Sequence, residues 1–262
     1  MSRQNFYQAT QQRKRDAVDE ALVLVLVNQV RALHPRMGTR KLRHVLEGEF
    51  AEAGIQIGRD RLFDLLRKAE RLVEPGAGRP RTTQWDPSLP AFPNRLKDIV
   101  LSRPHEGWVS DLTYVRTQAG FGYLWLIMDA YSRKVVGWYV AARPDAAGAI
   151  RALRMALATL PKGARPVHHS DRGCQYASHD YVACLEAHGL PISMTQVWHC
   201  YENAKAERLN GILKQEYWVG GSFATLAEAE KAIAQAIWLY NNRRPHLALN
   251  FRTPAEVHEH VA

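Results

Sequence analysis

Three acidic residues occupy positions in the chain where a free carboxylate requires an explanation. Asp111 lies in the apolar segment 108–114, which alternates like a β-strand, and Asp171 follows a predicted short strand. Glu207 lies on the polar face of a predicted helix over residues 202–216. A carboxylate inside an apolar strand is costly unless it is paired or bound to a cation. Each acid alone is more often structural, but together they could form one site.

The chemistry that suits these three carboxylates is binding of a divalent metal. Hard oxygen ligands without accompanying Cys or His favour Mg²⁺ or Mn²⁺. An acid just past the end of a strand is placed where open sheets hold their ligands. Two ions about 4 Å apart can activate an attacking oxygen and stabilise a leaving oxygen in phosphoryl transfer. We therefore predict that Asp111, Asp171 and Glu207 are metal ligands and catalytic residues, with two ions in the site.

The composition favours a polyanionic partner for this chemistry, most simply nucleic acid. The chain has 262 residues and a formal net charge of +9, of which +6 falls in residues 1–100. Basic proteins suit polyanionic partners because neutralising phosphates releases counterions; a basic surface that serves only solubility is the alternative. The three cysteines form no C-x-x-C pair. With no long apolar run and no secretory signal, we expect a cytoplasmic, nucleoid-associated protein that has no membrane partner.

Residues 1–75 are predicted to form a small helical domain. A first helix over 11–34 carries an approximate apolar stripe made of Val18, Ala21, Leu22, Val25 and Leu33. Two shorter helices with basic outer faces follow, and the last has its leucines turned inward. The arrangement resembles a helix-turn-helix unit, with Arg40 and Lys41 as candidate DNA contacts. An ordinary helical bundle with a cationic surface is equally compatible with the pattern.

The remainder of the chain is predicted to be a linker, an α/β domain and a tail. Residues 76–99 are rich in proline and glycine, which is typical of a linker. Three strands joined by short turns then predict an antiparallel meander, over 107–117, 123–130 and 135–142. Helices and short strands alternate after it. This order predicts an α+β mixed sheet flanked by helices over residues 100–245, followed by a C-terminal tail over 246–262.

The spacing and local context of the acids resemble a known family. Asp111 and Asp171 are separated by 59 residues, and Asp171 and Glu207 by 35. This is similar to the Asp-Asp-35-Glu set of retroviral integrases and related insertion-sequence transposases. The resemblance is closest to the second-frame (OrfB-type) product of the two-frame bacterial insertion sequences. It is carried by W-x-x-D-x-T-Y at 108–114, H-S-D-x-G-x-Q-Y at 169–176, E-N-A-x-x-E at 202–207, L-K-x-E at 213–216, Y-N-x-x-R-P-H at 240–246 and T-P at 253–254.

The resemblance implies a ribonuclease H-like catalytic core preceded by a small helix-turn-helix-like domain. It implies a DDE transposase that cleaves transposon ends and joins the freed 3′-hydroxyl to target DNA, without a covalent enzyme–DNA intermediate. Asp111, Asp171 and Glu207 would hold Mg²⁺ or Mn²⁺. The implied partners are DNA, an upstream-frame product or frameshift fusion, and further copies of the chain on DNA. A catalytically inactive DNA-binding remnant and a metal-dependent nuclease of the same fold remain alternatives.

Four side chains around Glu207 are candidate DNA contacts, namely Lys205, Arg208, Asn210 and Lys214. Asn210 and Lys214 share the predicted polar face of Glu207, although Lys214 could equally serve only to solvate the helix. Arg208 stands where many relatives have an aromatic residue. The cluster 243–246 could contact DNA or pack the tail on the core. The loop 195–201 is expected to be mobile without DNA, so Glu207 could stand away from the two aspartates.

Overall fold

The computed structural model describes residues 19–73, 88, 90–97, 99–196, 204–217 and 219–259. The chain divides into two compact units. One consists of Met1–Gly76 with Pro245–Phe251, and the other of Ala77–Arg244 with Arg252–Ala262. Within the described ranges, no helix is both long and apolar enough to cross a membrane.

The smaller unit contains four α-helices among its described residues. They are α1 over 19–33, α2 (Thr39–Val45), α3 (Glu47–Glu52) and α4 (Arg59–Lys68). Their inward side chains form one apolar core, which includes Met37, Leu42, Leu46, Phe50, Leu62 and Leu66. The leucines of α4 are buried, as the periodicity predicted, and the basic residues of that helix are exposed.

The buried face of α1 differs from the predicted stripe. Val23 and Val27 are each 1% exposed, whereas Val25 and Leu33 are 51% and 53% exposed. The reason is that residues 21–27 are an unbroken apolar run, so several helical stripes are equally apolar. Packing against α2 to α4, which the local sequence does not encode, selects one of them. Val18, also part of the predicted stripe, lies outside the described residues.

A mixed sheet forms the centre of the larger unit. Its six strands within the described residues are β1 (Gly107–Thr117), β2 (Gly120–Asp129), β3 (Val135–Ala141), β4 (Val167–Ser170), β5 (Ile192–Met194) and β6 (Ser222–Phe223). The order is β3-β2-β1-β4-β5, and β6 pairs with the far end of β1. The first three strands are antiparallel, whereas β4 and β5 run parallel to β1. The predicted meander and mixed sheet are confirmed.

Helices cover both faces of the sheet. They are α5 (Ala146–Ala158), α6 (His179–Ala187), α7 (Ala204–Glu216), α8 (Leu226–Asn242) and the short α9 (Pro254–Glu259). Apolar side chains of α7 and α8 pack on the face that carries Val109 and Val115. Those of α5 and α6 pack on the opposite face, which carries Trp108 and Trp125. The first four residues of β1 are therefore buried, whereas Asp111 is partly buried and Arg116 near the end of the strand is exposed.

Local signals in the sequence explain where several of these helices begin. Side-chain oxygens of Asp145, Ser178 and Thr225 accept hydrogen bonds from backbone N–H groups in the first turns of α5, α6 and α8. Such caps satisfy donors that have no partner inside the helix. Gly148 lets α5 approach the sheet closely, because a Cβ there would lie 2.6 Å from the ring of Trp125. These contacts fix α5 against the sheet.

Candidate active site

Asp111 and Asp171 occupy corresponding positions on neighbouring parallel strands. The register of β1 and β4 sets Val109 opposite His169. Two residues further along, Asp111 still belongs to β1, whereas Asp171 follows the end of β4 at Ser170. Adjacent strands lie about 4.8 Å apart. The shared register therefore brings the two carboxylates to the same level of the sheet.

The surroundings of Asp111 oppose its ionisation. Burial is the main reason that the pKa of Asp111 is raised to about 7, and the negative charge of Asp171 is the next. Glu207 adds a smaller rise. Two hydrogen bonds act in the other direction: Oδ1 accepts from the backbone N–H of Leu112 at 2.9 Å, and Oδ2 accepts from Nδ2 of Asn210 at 2.5 Å. Asp171 and Glu207, two of the acids predicted from the sequence, are thus near enough to Asp111 to raise its pKa.

The turn after β4 orients Asp171. Its Oδ1 accepts a hydrogen bond from the backbone N–H of Gly173 at 3.0 Å. A Cβ on Gly173 would stand 3.0 Å from the same oxygen and 2.9 Å from Oε1 of Gln175, so this tight turn leaves little room for a side chain. The Nε of Arg172 donates to the carbonyl oxygen of Thr195 at 2.8 Å and ties the turn to the end of β5.

Helix α7 brings Glu207 and Asn210 to the side of β1. The two residues are three positions apart and so lie on neighbouring parts of one helix face. Glu207 is exposed, whereas Asn210 is 4% exposed and bonded to Asp111. The prediction that Asn210 lies on an exposed polar face is therefore wrong, and so is the reason for naming it a DNA contact. Gly211 is buried as well, because α7 is covered over a wider arc than its apolar residues indicated.

The carboxylate oxygens of Asp111, Asp171 and Glu207 are chemically suited to bind a divalent cation. The three side chains do not, however, form a compact metal-binding cluster. Asp111 and Asp171 are oxygen donors whose mutual repulsion a cation would relieve. Across the ranges that the structure describes, no three His, Cys, Asp or Glu side chains form a group that could hold a metal ion. Thr195 and Gln196 are the described part of the loop 195–201. The rest of the loop lies outside the described residues, and so does the prediction of its mobility.

The histidines of the H-S-D segment are structural. His168 is fully buried, and its Nε2 pairs with Oγ of Ser110 at 2.7 Å and with the hydroxyl of Tyr181 at 2.9 Å. Burial lowers the pKa of His168 to about 3, so its ring is neutral at physiological pH. His169 is also buried and pairs through Nδ1 with Oγ of Ser193 at 2.8 Å. Both rings connect β4 to its neighbours in the core.

The remaining candidate DNA contacts differ in their exposure. Arg40 and Arg208 are exposed, whereas Lys41 and Lys214 are half-buried. The Nζ of Lys205 donates to the carbonyl oxygen of Ala130 at 3.2 Å, which connects the start of α7 to the turn after β2. DNA contact by these five side chains stays a prediction.

Two residues of the sequence motifs, Glu216 and Arg244, pair with each other. Nε and Nη2 of Arg244 each lie 2.7 Å from a carboxylate oxygen of Glu216. Arg244 is 2% exposed, so it packs inside the unit rather than on a DNA-facing surface. The motifs at 213–216 and 240–246 supplied a Glu and an Arg of opposite charge. That was the available signal, but nothing local in the sequence linked them.

Comparisons with known proteins agree with this architecture. Two family models, both described as integrase core domain, match residues 102–200 and 188–254. The uncharacterised 31 kDa protein of insertion element IS600 from Shigella sonnei is 35% identical over 267 residues, which cover 99% of this chain and 95% of that protein. The putative transposase of insertion sequence IS986/IS6110 from Mycobacterium tuberculosis is 33% identical over 218 residues, covering 79% and 76% of the two chains.

Among solved structures, a chain of the simian T-cell lymphotropic virus intasome in complex with a PP2A regulatory subunit has a similar fold. The TM-score is 0.52 at 20% sequence identity, covering 89% of this chain and 74% of that one.

Proposed function

Because the chain belongs to the insertion-sequence transposases of the second-frame type, which carry an integrase core domain, we propose that it is a DDE transposase. In this proposal it cleaves DNA at transposon ends and transfers the freed 3′-hydroxyl to target DNA. The observation that carries the proposal is the matched placement of Asp111 on β1 and Asp171 just after β4, beside the helix of Glu207. A metal-dependent nuclease and an inactive DNA-binding remnant are outcomes of the test below.

Asp111, Asp171 and Glu207 would hold the divalent cations, Mg²⁺ or Mn²⁺, with two ions in the site. Such cations, when bound, activate an attacking oxygen and stabilise the leaving oxygen of an in-line phosphoryl transfer. Asn210 holds one oxygen of Asp111, and the backbone N–H of Gly173 holds one oxygen of Asp171. Since the pKa of Asp111 is about 7, metal binding near neutral pH has to displace a proton from part of the population.

DNA is the proposed substrate on both sides of the reaction. The net charge of +9 favours association with phosphates, and Arg208 is an exposed cation next to Glu207. Arg40 and Lys41 in the first turn of α2 are proposed to bind transposon ends. The proposed assembly contains further copies of the chain on DNA. It also includes an upstream-frame product or a frameshift fusion, because sequence-specific end binding is not expected from this chain alone at physiological salt.

The test is a cleavage and joining assay on the terminal inverted repeats that flank the gene, with Mg²⁺ and with Mn²⁺. The chain is assayed alone and as the frameshift fusion. We expect Asp171→Asn to lose cleavage and joining by at least about a thousandfold, while DNA affinity stays within about twofold. Asp180→Asn is the matched control, because Asp180 is exposed on α6 and its carboxylate lies 3.7 Å from Nδ1 of His179.

Each result of this assay distinguishes the candidates. Cleavage without joining by the wild-type protein would indicate a nuclease. DNA binding without cleavage would indicate an inactive remnant. Equal activity of Asp171→Asn and the wild-type protein would refute the proposed catalytic site.

A further inference from the structure

Polar contacts hold helix α7, which carries Glu207, near its start, in its middle and at its end. Near its start, the Nζ of Lys205 donates to the carbonyl oxygen of Ala130 at 3.2 Å. In its middle, Asn210 donates to Asp111 at 2.5 Å. At its end, Glu216 receives two hydrogen bonds of 2.7 Å from Arg244. Only the middle contact touches the predicted catalytic carboxylates.

The contact at the end of α7 is largely buried and is the most directional of the three. The side chains of Arg244 and Glu216 are 2% and 17% exposed. Their guanidinium and carboxylate groups meet through two hydrogen bonds, an arrangement that fixes both orientation and distance. The Arg244 guanidinium also lies 5.8 Å from the centre of the Tyr240 ring. Arg244 follows the end of α8, so the pair connects the ends of α7 and α8.

The apolar contacts of α7 define the position of this helix along its own axis less sharply than the Arg244–Glu216 pair does. Its buried residues repeat from turn to turn and include two small ones, Ala206 and Gly211. A buried ion pair with two hydrogen bonds has one favourable position, so it prevents α7 from sliding along its axis. Glu207 lies nine residues before Glu216, about 14 Å along a helix. At that separation Arg244 reaches the active site only through α7 itself.

We propose that Arg244 is a positioning residue for the active site, which acts by holding Glu216 and thereby the axial position of Glu207 and Asn210 beside Asp111. The proposal rests on the proposed DDE chemistry for its effect on cleavage. The position of Asn210 can be measured without any turnover.

The test compares Arg244→Lys, which keeps the charge but loses the planar two-bond geometry, with the wild-type protein. Glu216→Gln is the second and milder variant, since Glu216 is less buried. Glu259→Gln is the matched control, because it removes the Lys134–Glu259 ion pair of the same unit, which does not involve α7.

The ¹⁵N side-chain amide signal of Asn210, assigned with Asn210→Ser, is followed in DNA-free protein. Mn²⁺ affinity is measured by EPR, and cleavage at saturating DNA is measured as a function of Mn²⁺.

We expect Arg244→Lys and Glu216→Gln to stay folded and to bind DNA within about twofold of the wild-type protein. In Arg244→Lys the Asn210 amide signal should move toward that of a solvated amide, and Mn²⁺ affinity should fall at least fivefold. The maximal cleavage rate should fall at least tenfold, while Glu259→Gln changes none of these. An unchanged Asn210 signal together with unchanged Mn²⁺ affinity would overturn the proposal, even if cleavage declined.

If the wild-type protein shows no cleavage with either metal, the proposed function fails. The Asn210 signal then still decides whether Arg244 positions α7. If Arg244→Lys does not fold, Glu216→Gln carries the same expectations in weaker form, and the same unchanged signal and Mn²⁺ affinity in that variant would overturn the proposal.

Discussion

Asp111 is the residue on which burial and charge act most directly at the site. Its pKa is raised from 3.8 to about 7, so the folded chain binds this proton more tightly than the unfolded chain does. The stabilisation that follows is complete below about pH 3.8 and is lost as the pH rises through 7. Without a divalent metal, ionised Asp111 therefore destabilises the folded state at pH 8.

We expect this pH-dependent contribution to stability to disappear in Asp111→Asn, because an asparagine side chain does not titrate. The free energy of unfolding of the wild-type protein, relative to the variant, should decrease by up to about 4 kcal/mol between pH 4 and pH 8. Urea unfolding in EDTA measures it. Adding Mn²⁺ at pH 8 should raise the stability of the wild-type protein and leave the variant unchanged. A difference between the two proteins that stays constant with pH would contradict the buried location of Asp111.

Asn210 gives a second prediction at the level of single residues. Asn210→Asp places a further negative charge against Asp111, so the pKa of Asp111 should rise again. Cleavage should fall at least tenfold at pH 7, and the acid limb of the pH–rate profile should move to higher pH. The control is Asn242→Asp, at an exposed position of α8 where the amide donates to the carbonyl oxygen of Trp238. Equal effects of the two substitutions would indicate a general charge effect instead.

At the level of elements, the fit of α5 on the sheet offers a test of packing. Gly148→Ala would place a methyl group within 2.6 Å of the Trp125 ring, which is buried and has little space to move. We expect the free energy of unfolding to fall by about 1–3 kcal/mol. Ala147→Ser at the preceding, exposed position of α5 should change the free energy of unfolding by less than about 0.5 kcal/mol. Urea unfolding followed by tryptophan fluorescence distinguishes them.

The helices and strands also show how much of the fold can be predicted from the sequence alone. Apolar patterns located β1 to β3 and the longer helices, because those patterns are local and extend over many residues. β6 and α9 contain two and six residues, too few for a period to appear. The acids were identified from their contexts, but the pairs Asn210–Asp111 and Glu216–Arg244 join residues 99 and 28 positions apart. Such contacts depend on tertiary packing and leave no local pattern.

At the level of the whole molecule, the excess of positive charge predicts strongly salt-dependent DNA binding. Each phosphate contact contributes about 0.9 to the slope of log K against log salt concentration. If Arg40 contacts a phosphate, Arg40→Ala should reduce that slope by about 0.9 and weaken binding to all DNA sequences alike. Fluorescence anisotropy at several NaCl concentrations measures the slope. Lys162→Ala, at an exposed turn after α5, should leave it unchanged.

The parallel register of β1 and β4 has a consequence for how this protein can diverge. Side chains alternate between the two faces of a strand, so inserting one residue in β1 before Asp111 would turn its carboxylate to the opposite face. Insertions between β3 and β4 leave the pairing of Val109 with His169 intact and add only loop or helix. The 59-residue interval is thus free to vary among active relatives, whereas the two-residue offset of each aspartate from that pair is not. Distant relatives should therefore be sought by this offset.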